Sequence, residues 1–239
     1  MKKSFSLAMS AWALLLCCGT FAEASLTIVS FLGNTPQSGV NYVTFDTVVA
    51  GVAANTAGSV NPLGSVGVAI TPNAALVTGS VGGQYAAPQV FGGNGAYFTP
   101  NPDGVDTTQY ITAGSTGNTA GAKAEITFSS LQQYLGLLWG SVDDYNTLEL
   151  FDGATSVGVI TGSDVIANPT GDQGPLGSRY VNISSTLGFN RVVATSSQFA
   201  FEFDNVAYGV DQVVPEATTI AVWSGLSLLG WVAYRRRAS

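Results

Sequence analysis

Oxygen donors dominate the chemistry this chain offers. The densest group is Asp143-Asp144-x-Asn146, which sets two carboxylates and an amide in one short stretch. Calcium takes about six to eight oxygen ligands from loop carboxylates, amides and carbonyls, so this stretch is a calcium candidate. Asp204-Asn205 would add donors if folded nearby. The spacing is not that of an EF-hand loop, and Asp and Asn are also ordinary turn residues, so a turn or cap is the competing reading. A second chemistry, glycoside hydrolysis, needs two carboxylates facing across a cleft. Asp143, Asp144, Glu149, Glu202 and Asp204 are of the right type, but nothing in their spacing pairs them. No catalytic residue is assigned, and a non-enzymatic protein is the expectation.

Other chemistries are excluded or weakened by what the chain lacks. Histidine is absent, which removes the usual general base, the Ser-His-Asp triad and the commonest zinc ligand. The only cysteines, Cys17 and Cys18, lie in the N-terminal apolar stretch, so the main domain has neither a thiol nucleophile nor a disulfide. Phe91-Gly92-Gly93-Asn94-Gly95 matches neither a P-loop nor a dinucleotide fingerprint. No cofactor is expected beyond the calcium candidate. Trp139 is the one tryptophan outside the terminal segments; a sugar ring would stack on it, but its apolar neighbours favour a core position. Asn182-Ile183-Ser184 formally matches an N-glycosylation acceptor. From Ser25 to Val214 the bases Lys123, Arg179 and Arg191 stand against 13 acids. A surface so acidic repels phosphate backbones, so no nucleic-acid partner is expected.

These donors must be positioned by strands. Residues 26–31 (LTIVSF) and 42–49 (YVTFDTVV) have strand composition. Residues 50–121 are rich in Gly, Ala, Asn, Thr, Ser and Pro and read as long loops between short strands such as VGVAI at 66–70, or as partly disordered decoration. From Ala122 the pattern sharpens. AKAEITF alternates, YLGLLWGS (134–141) is a continuous apolar run, and YNTLELF with SVGVIT flanks Asp152-Gly153 as a hairpin. RYVNIS (179–184) and NRVVATS (190–196) follow. FAFEFDNVAYG then puts Phe199, Phe201 and Phe203 on one face and Glu202 and Asp204 on the other. Period-two alternation without a long amphipathic helix predicts an all-β ectodomain over 25–212, an antiparallel β-sandwich of jelly-roll type.

The two ends read differently. Lys2 and Lys3, an apolar core around Ala11–Cys18 and the small residues of Ala22-Glu23-Ala24 make residues 1–24 a signal peptide, cleaved between Ala24 and Ser25. Residues 217–234 are uncharged and precede Arg235, Arg236 and Arg237. As a helix this run would reach about 27 Å, enough for a transmembrane helix, with the arginines orienting the C-terminus to the cytoplasm. Val214-Pro215-Glu216, the apolar run and the terminal arginines together resemble the PEP-CTERM sorting signal of bacterial surface proteins, although the usual second proline is Ala217 here. That resemblance implies a sorting segment over 213–239 and an exosortase-type processing enzyme as partner. It also implies a membrane-anchored precursor later passed to the cell surface or extracellular matrix. A plain single-pass anchor is the competing fate. LGLLWGSVDDYNTLELFDG, with RYVNIS and FAFEFDNVAYG, is similar to a subfamily of these proteins bearing a WGSxDxYN strand pair. The expected function is structural or adhesive, at a surface polysaccharide layer. The alternative is a calcium-assisted carbohydrate-binding module.

Overall fold

A computed structural model describes residues 25–46, 58–63, 66–70, 74–92, 103–114 and 122–210. Thirteen strands lie among them. In chain order they are β1 (Leu26–Phe31), β2 (Asn41–Val43), β3 (Gly58–Leu63), β4 (Val66–Ile70), β5 (Ala74–Val77), β6 (Gln89–Val90) and β7 (Gly104–Val105). There follow β8 (Tyr110–Ala113), β9 (Ala122–Gly140), β10 (Asn146–Asp152), β11 (Thr155–Thr161), β12 (Arg179–Ser196) and β13 (Phe201–Gly209). A single helical turn, α1 (Gly162–Val165), separates β11 from β12 and is closed by a capping box between Thr161 and Asp164.

Two long strands organise the rest. β9 has 19 residues and β12 has 18, and each changes neighbours along its length. The first half of β9 pairs with β4 and with the second half of β12, which leads through β10 to β11. The second half of β9 pairs with β13 and with the first half of β12, whose other edge takes β1. Register shifts between Ser184 and Arg191 mark the change of partner in β12, as bulges do where strands bend. Eleven strands therefore form one continuous antiparallel sheet, and β6 and β7 form a separate pair. The two halves enclose one core: Ile126, Leu148 and Val192 of the first pack in the same cluster as Leu137, Ile183 and Phe203 of the second. Their edges meet where a Cβ on Gly158 of β11 would strike the Leu26 side chain of β1.

The alternation read from the sequence decides which side chains enter that core. Ala122, Ala124, Ile126 and Phe128 are buried while Lys123 and Thr127 are exposed. The apolar run 134–140 is buried on both faces. Its outer face is covered by the chain around residues 79–92 and 103–109, not by another layer of long strands. Val90 packs there on Leu138 and Tyr180, and Pro88 lies over Gly140.

The all-β expectation thus stands in its coarse form, and its membrane component is corrected. Among the described residues no helix is long and apolar enough to cross a membrane. The one helix there has four residues and rises about 6 Å, against a hydrocarbon core of about 30 Å. The expected transmembrane helix 217–234 lies outside the described residues. Membrane attachment, the membrane-anchored precursor and the exosortase step acting on it accordingly have no support in the structure. Within the described parts of 50–121 lie six short strands, β3, β4, β5, β6, β7 and β8, and VGVAI at 66–70 is β4. Their shortness and small residues hide them, yet β8 is buried throughout.

Candidate functional site

Glu202 points away from the core. Its neighbours Phe201 and Phe203 face inward, where Phe201 stacks on Trp139 at 4.2 Å between ring centroids. Alternation therefore aims Glu202 at the outer face, where the covering chain seals it to 1% exposure. One carboxylate oxygen accepts the Ala86 backbone N–H at 2.9 Å and the other accepts the Ser141 hydroxyl at 2.6 Å. Burial pushes the Glu202 pKa up to about 8, and nearby Asp143 adds to the rise, while the Ser141 and Ala86 hydrogen bonds oppose it. At neutral pH the group is mostly a neutral acid.

A cavity of about 180 Å³ opens beside it, lined by Gln84, Tyr85, Ser141, Asp143, Tyr145, Gln173, Phe199 and Glu202 among others. Four segments build it: the turn around Gly83–Tyr85, the β9–β10 connection, the chain at Gly171–Gln173 ahead of β12, and the approach to β13. Ser141 leaves β9 with φ 35°, a left-handed conformation uncommon for a residue with a side chain. That turn aims its hydroxyl at Glu202. Asp143 is buried, and burial raises its pKa; the Tyr145 hydroxyl opposes the rise and Asp144 adds to it. The Tyr145 hydroxyl itself donates to the Phe199 carbonyl. Gly171 closes the floor at φ 65°, where a Cβ would run into the Asp143 carboxylate.

The structure separates the members of the oxygen cluster. Asp143 lines the cavity, while Asp144 is exposed. Asn146 is fully buried, its amide donating to the Ala200 carbonyl at 3.0 Å. Among the described residues no group of three or more His, Cys, Asp or Glu side chains is placed to hold a metal. Glu149 lies along β10, away from the cavity lining. Trp139 is fully buried against Phe201 and offers no face to a sugar. Asn182 is engaged on both sides, accepting from the Tyr134 hydroxyl at 2.5 Å and donating to the Thr35 carbonyl at 2.9 Å. Ser25 pairs by its backbone nitrogen with the Thr186 hydroxyl at 2.9 Å. Ala24, Val214, Pro215, Glu216, Arg235, Arg236 and Arg237 lie outside the described residues.

Sequence reasoning did not pick out Ser141, Tyr85 or the Glu202 clamp. Glu202 alternates with phenylalanines and so reads as a solvated outer face; only the fold of residues 79–92 shows that face to be covered. No protein-family model matches the chain, and no curated protein is significantly similar to it.

Proposed function

We propose that the chain is an exported extracellular protein of structural or adhesive role, and that its β-domain makes contact with saccharide at the cavity beside Asp143. Support for export comes from the signal-peptide layout of residues 1–24 and from the PEP-CTERM-like character of Val214-Pro215-Glu216. The observation that carries the saccharide reading is the cavity's make-up. Two acids, two amides and a serine converge with Tyr85, Tyr145 and Phe199 in a space of about 180 Å³. Polar groups that fix orientation, set among aromatic side chains, are the usual furniture of a small-ligand site, and this volume restricts it to a single sugar unit or chain end. Glu202 favours binding over turnover, since both of its oxygens are already engaged by Ala86 and Ser141.

A glycan array probed with the full chain, with and without calcium, tests this reading. Selective binding is expected, weakened about tenfold, or roughly 1.4 kcal/mol, by Gln84→Ala at the exposed rim. Array-wide absence of binding would end the saccharide reading and leave a structural role alone.

A further inference from the structure

We propose that the chain covering the outer face of β13 is a lid, held down by one proton shared between Asp106 and Asp204, and that it lifts as pH rises. The lid is one body made of two pieces. Residues 79–92 and 103–109 are joined by the β6–β7 pair, with Gln89 opposite Val105 and Val90 opposite Gly104. The Asp106 N–H joins them again, donating to the Pro88 carbonyl at 2.9 Å. On the underside Val90 packs on Leu138 and Tyr180, the Ala86 N–H reaches Glu202 at 2.9 Å, and the Gln89 N–H reaches the Ser178 hydroxyl at 2.9 Å. Asp106 adds the anchor whose charge can change.

That anchor docks in a gap set by topology. β8 pairs with Phe201–Phe203 and β2 with Val206–Tyr208, both on the edge of β13 away from β9, so Asp204 falls between them. Asp106 and Asp204 are both fully buried, and their carboxyls are hydrogen-bonded to each other. Ionised carboxylates only accept, so a bond between two of them needs a proton. Thr108 decides which acid carries it. Its backbone N–H and its hydroxyl both donate to Asp106 Oδ1, at 2.9 Å and 2.5 Å. Asp106 is thereby set up as the acceptor, and Asp204 is the donor.

The surroundings of the pair give the sign of its response. Burial raises the Asp204 pKa most, followed by nearby Asp106, Asp46 and the hydrogen bond to Asp106, while the Asn205 N–H opposes the rise. The other titratable groups around the pair are Asp46 beyond β2, Tyr110 at the start of β8, Tyr180 of β12 and, on β13 itself, Glu202. Each is an acid or a phenol, and none supplies a positive charge. A raised carboxyl pKa in the closed form means that opening releases a proton. The closed form is therefore favoured at low pH and lost as pH rises through that value. Once the proton leaves, two buried carboxylates face each other, and lifting residues 103–109 returns Asp106 to water. The pull passes through the hydrogen bond to Pro88 towards Gly83, Gln84 and Tyr85, which wall the cavity beside Glu202. The lid does not depend on what that cavity binds.

The test is amide hydrogen exchange on the full chain across a pH series, corrected for the intrinsic rate at each pH. Protection of the Asp106 N–H is expected to fall by at least about tenfold per pH unit, from about pH 4 until Asp204 ionises in the closed form. It should stay below that of the Leu137 N–H in β9 throughout, because the lid opens without the core. Asp204→Asn keeps the hydrogen bond to Asp106 through its amide at every pH, and should remove one tenfold step per pH unit from the slope. Glu202→Gln should leave that step in place. Should Asp204→Asn fail to fold, Asp106→Asn gives Asp204 a donor in place of a facing charge, and the fall should then end at a lower pH. An unaltered slope in Asp204→Asn, an unmoved end point in Asp106→Asn or a step lost in Glu202→Gln would overturn the lid. So would Asp106 protection equal to that of Leu137 at every pH.

Discussion

Two faces of one strand carry opposite chemistry. On the inner face of β13, Phe201 and Phe203 pack with Trp139 and Phe45, needing only contact. On the outer face Glu202 and Asp204 are as deeply buried, at 1% and 0% exposure, yet each requires partners. The covering chain provides some of them: the Ala86 N–H reaches Glu202 and the Thr108 hydroxyl lies beside Asp204. A close fit is visible here too. At Gly136, beside Asp204's neighbour Leu138, a Cβ would come within 2.8 Å of the Tyr180 hydroxyl. The inner face therefore stabilises the fold by area removed from water, whereas the outer face holds acids towards their neutral form at a cost in stability. Such a cost is a mark of function more than of folding.

The difference can be broken from either side. The largest effect belongs to the inner face: Phe203→Ala should destabilise by about 3–5 kcal/mol in chemical denaturation, since the ring is 1% exposed and meets Phe45 and Phe201. On the outer face the sign depends on pH. Glu202 holds its proton in the folded state to about pH 8, against 4.5 for an ordinary glutamate, so above the lower value the unfolded chain releases a proton that the folded chain retains. Stability should fall by up to about 1.4 kcal/mol per pH unit across that window as pH rises, and level off above it. Glu202→Gln should flatten the profile. Tyr180→Phe removes the buried hydrogen bond from its hydroxyl to the Asn205 carbonyl at 2.9 Å and should cost about 1 kcal/mol. The smallest effect is expected far from both faces, where Glu125→Gln breaks the 3.1 Å contact with Arg191. That pair is partly exposed, and its loss should cost under about 1 kcal/mol.

Strand identity from Ala122 onward was legible because period-two alternation is a local property. The merging of AKAEITF with YLGLLWGS into β9, and of RYVNIS with NRVVATS into β12, was not legible, since bends and bulges depend on which neighbour pairs where. The covering segments 79–92 and 103–109 carry only two-residue strands among small and polar residues, and without them the outer face of β13 reads as solvent. For the same reason Glu202 and Asp204 read as surface acids. Asp143 was singled out by composition and does line the cavity, but its partners come from residues 83–85 and 199–202, far away in sequence. The left-handed turn at Ser141 left no signal, because serine seldom adopts it, and Asn205, a type that does, sits inside a strand pattern that masks it.

The claim that the outer face is sealed rests most directly on the proton affinity of Glu202. Its titration in the folded chain, followed through the side-chain carboxyl carbon by NMR, should give a pKa of about 8. A value near 4.5, the one expected for a solvated glutamate, would show the face open to water and contradict the account.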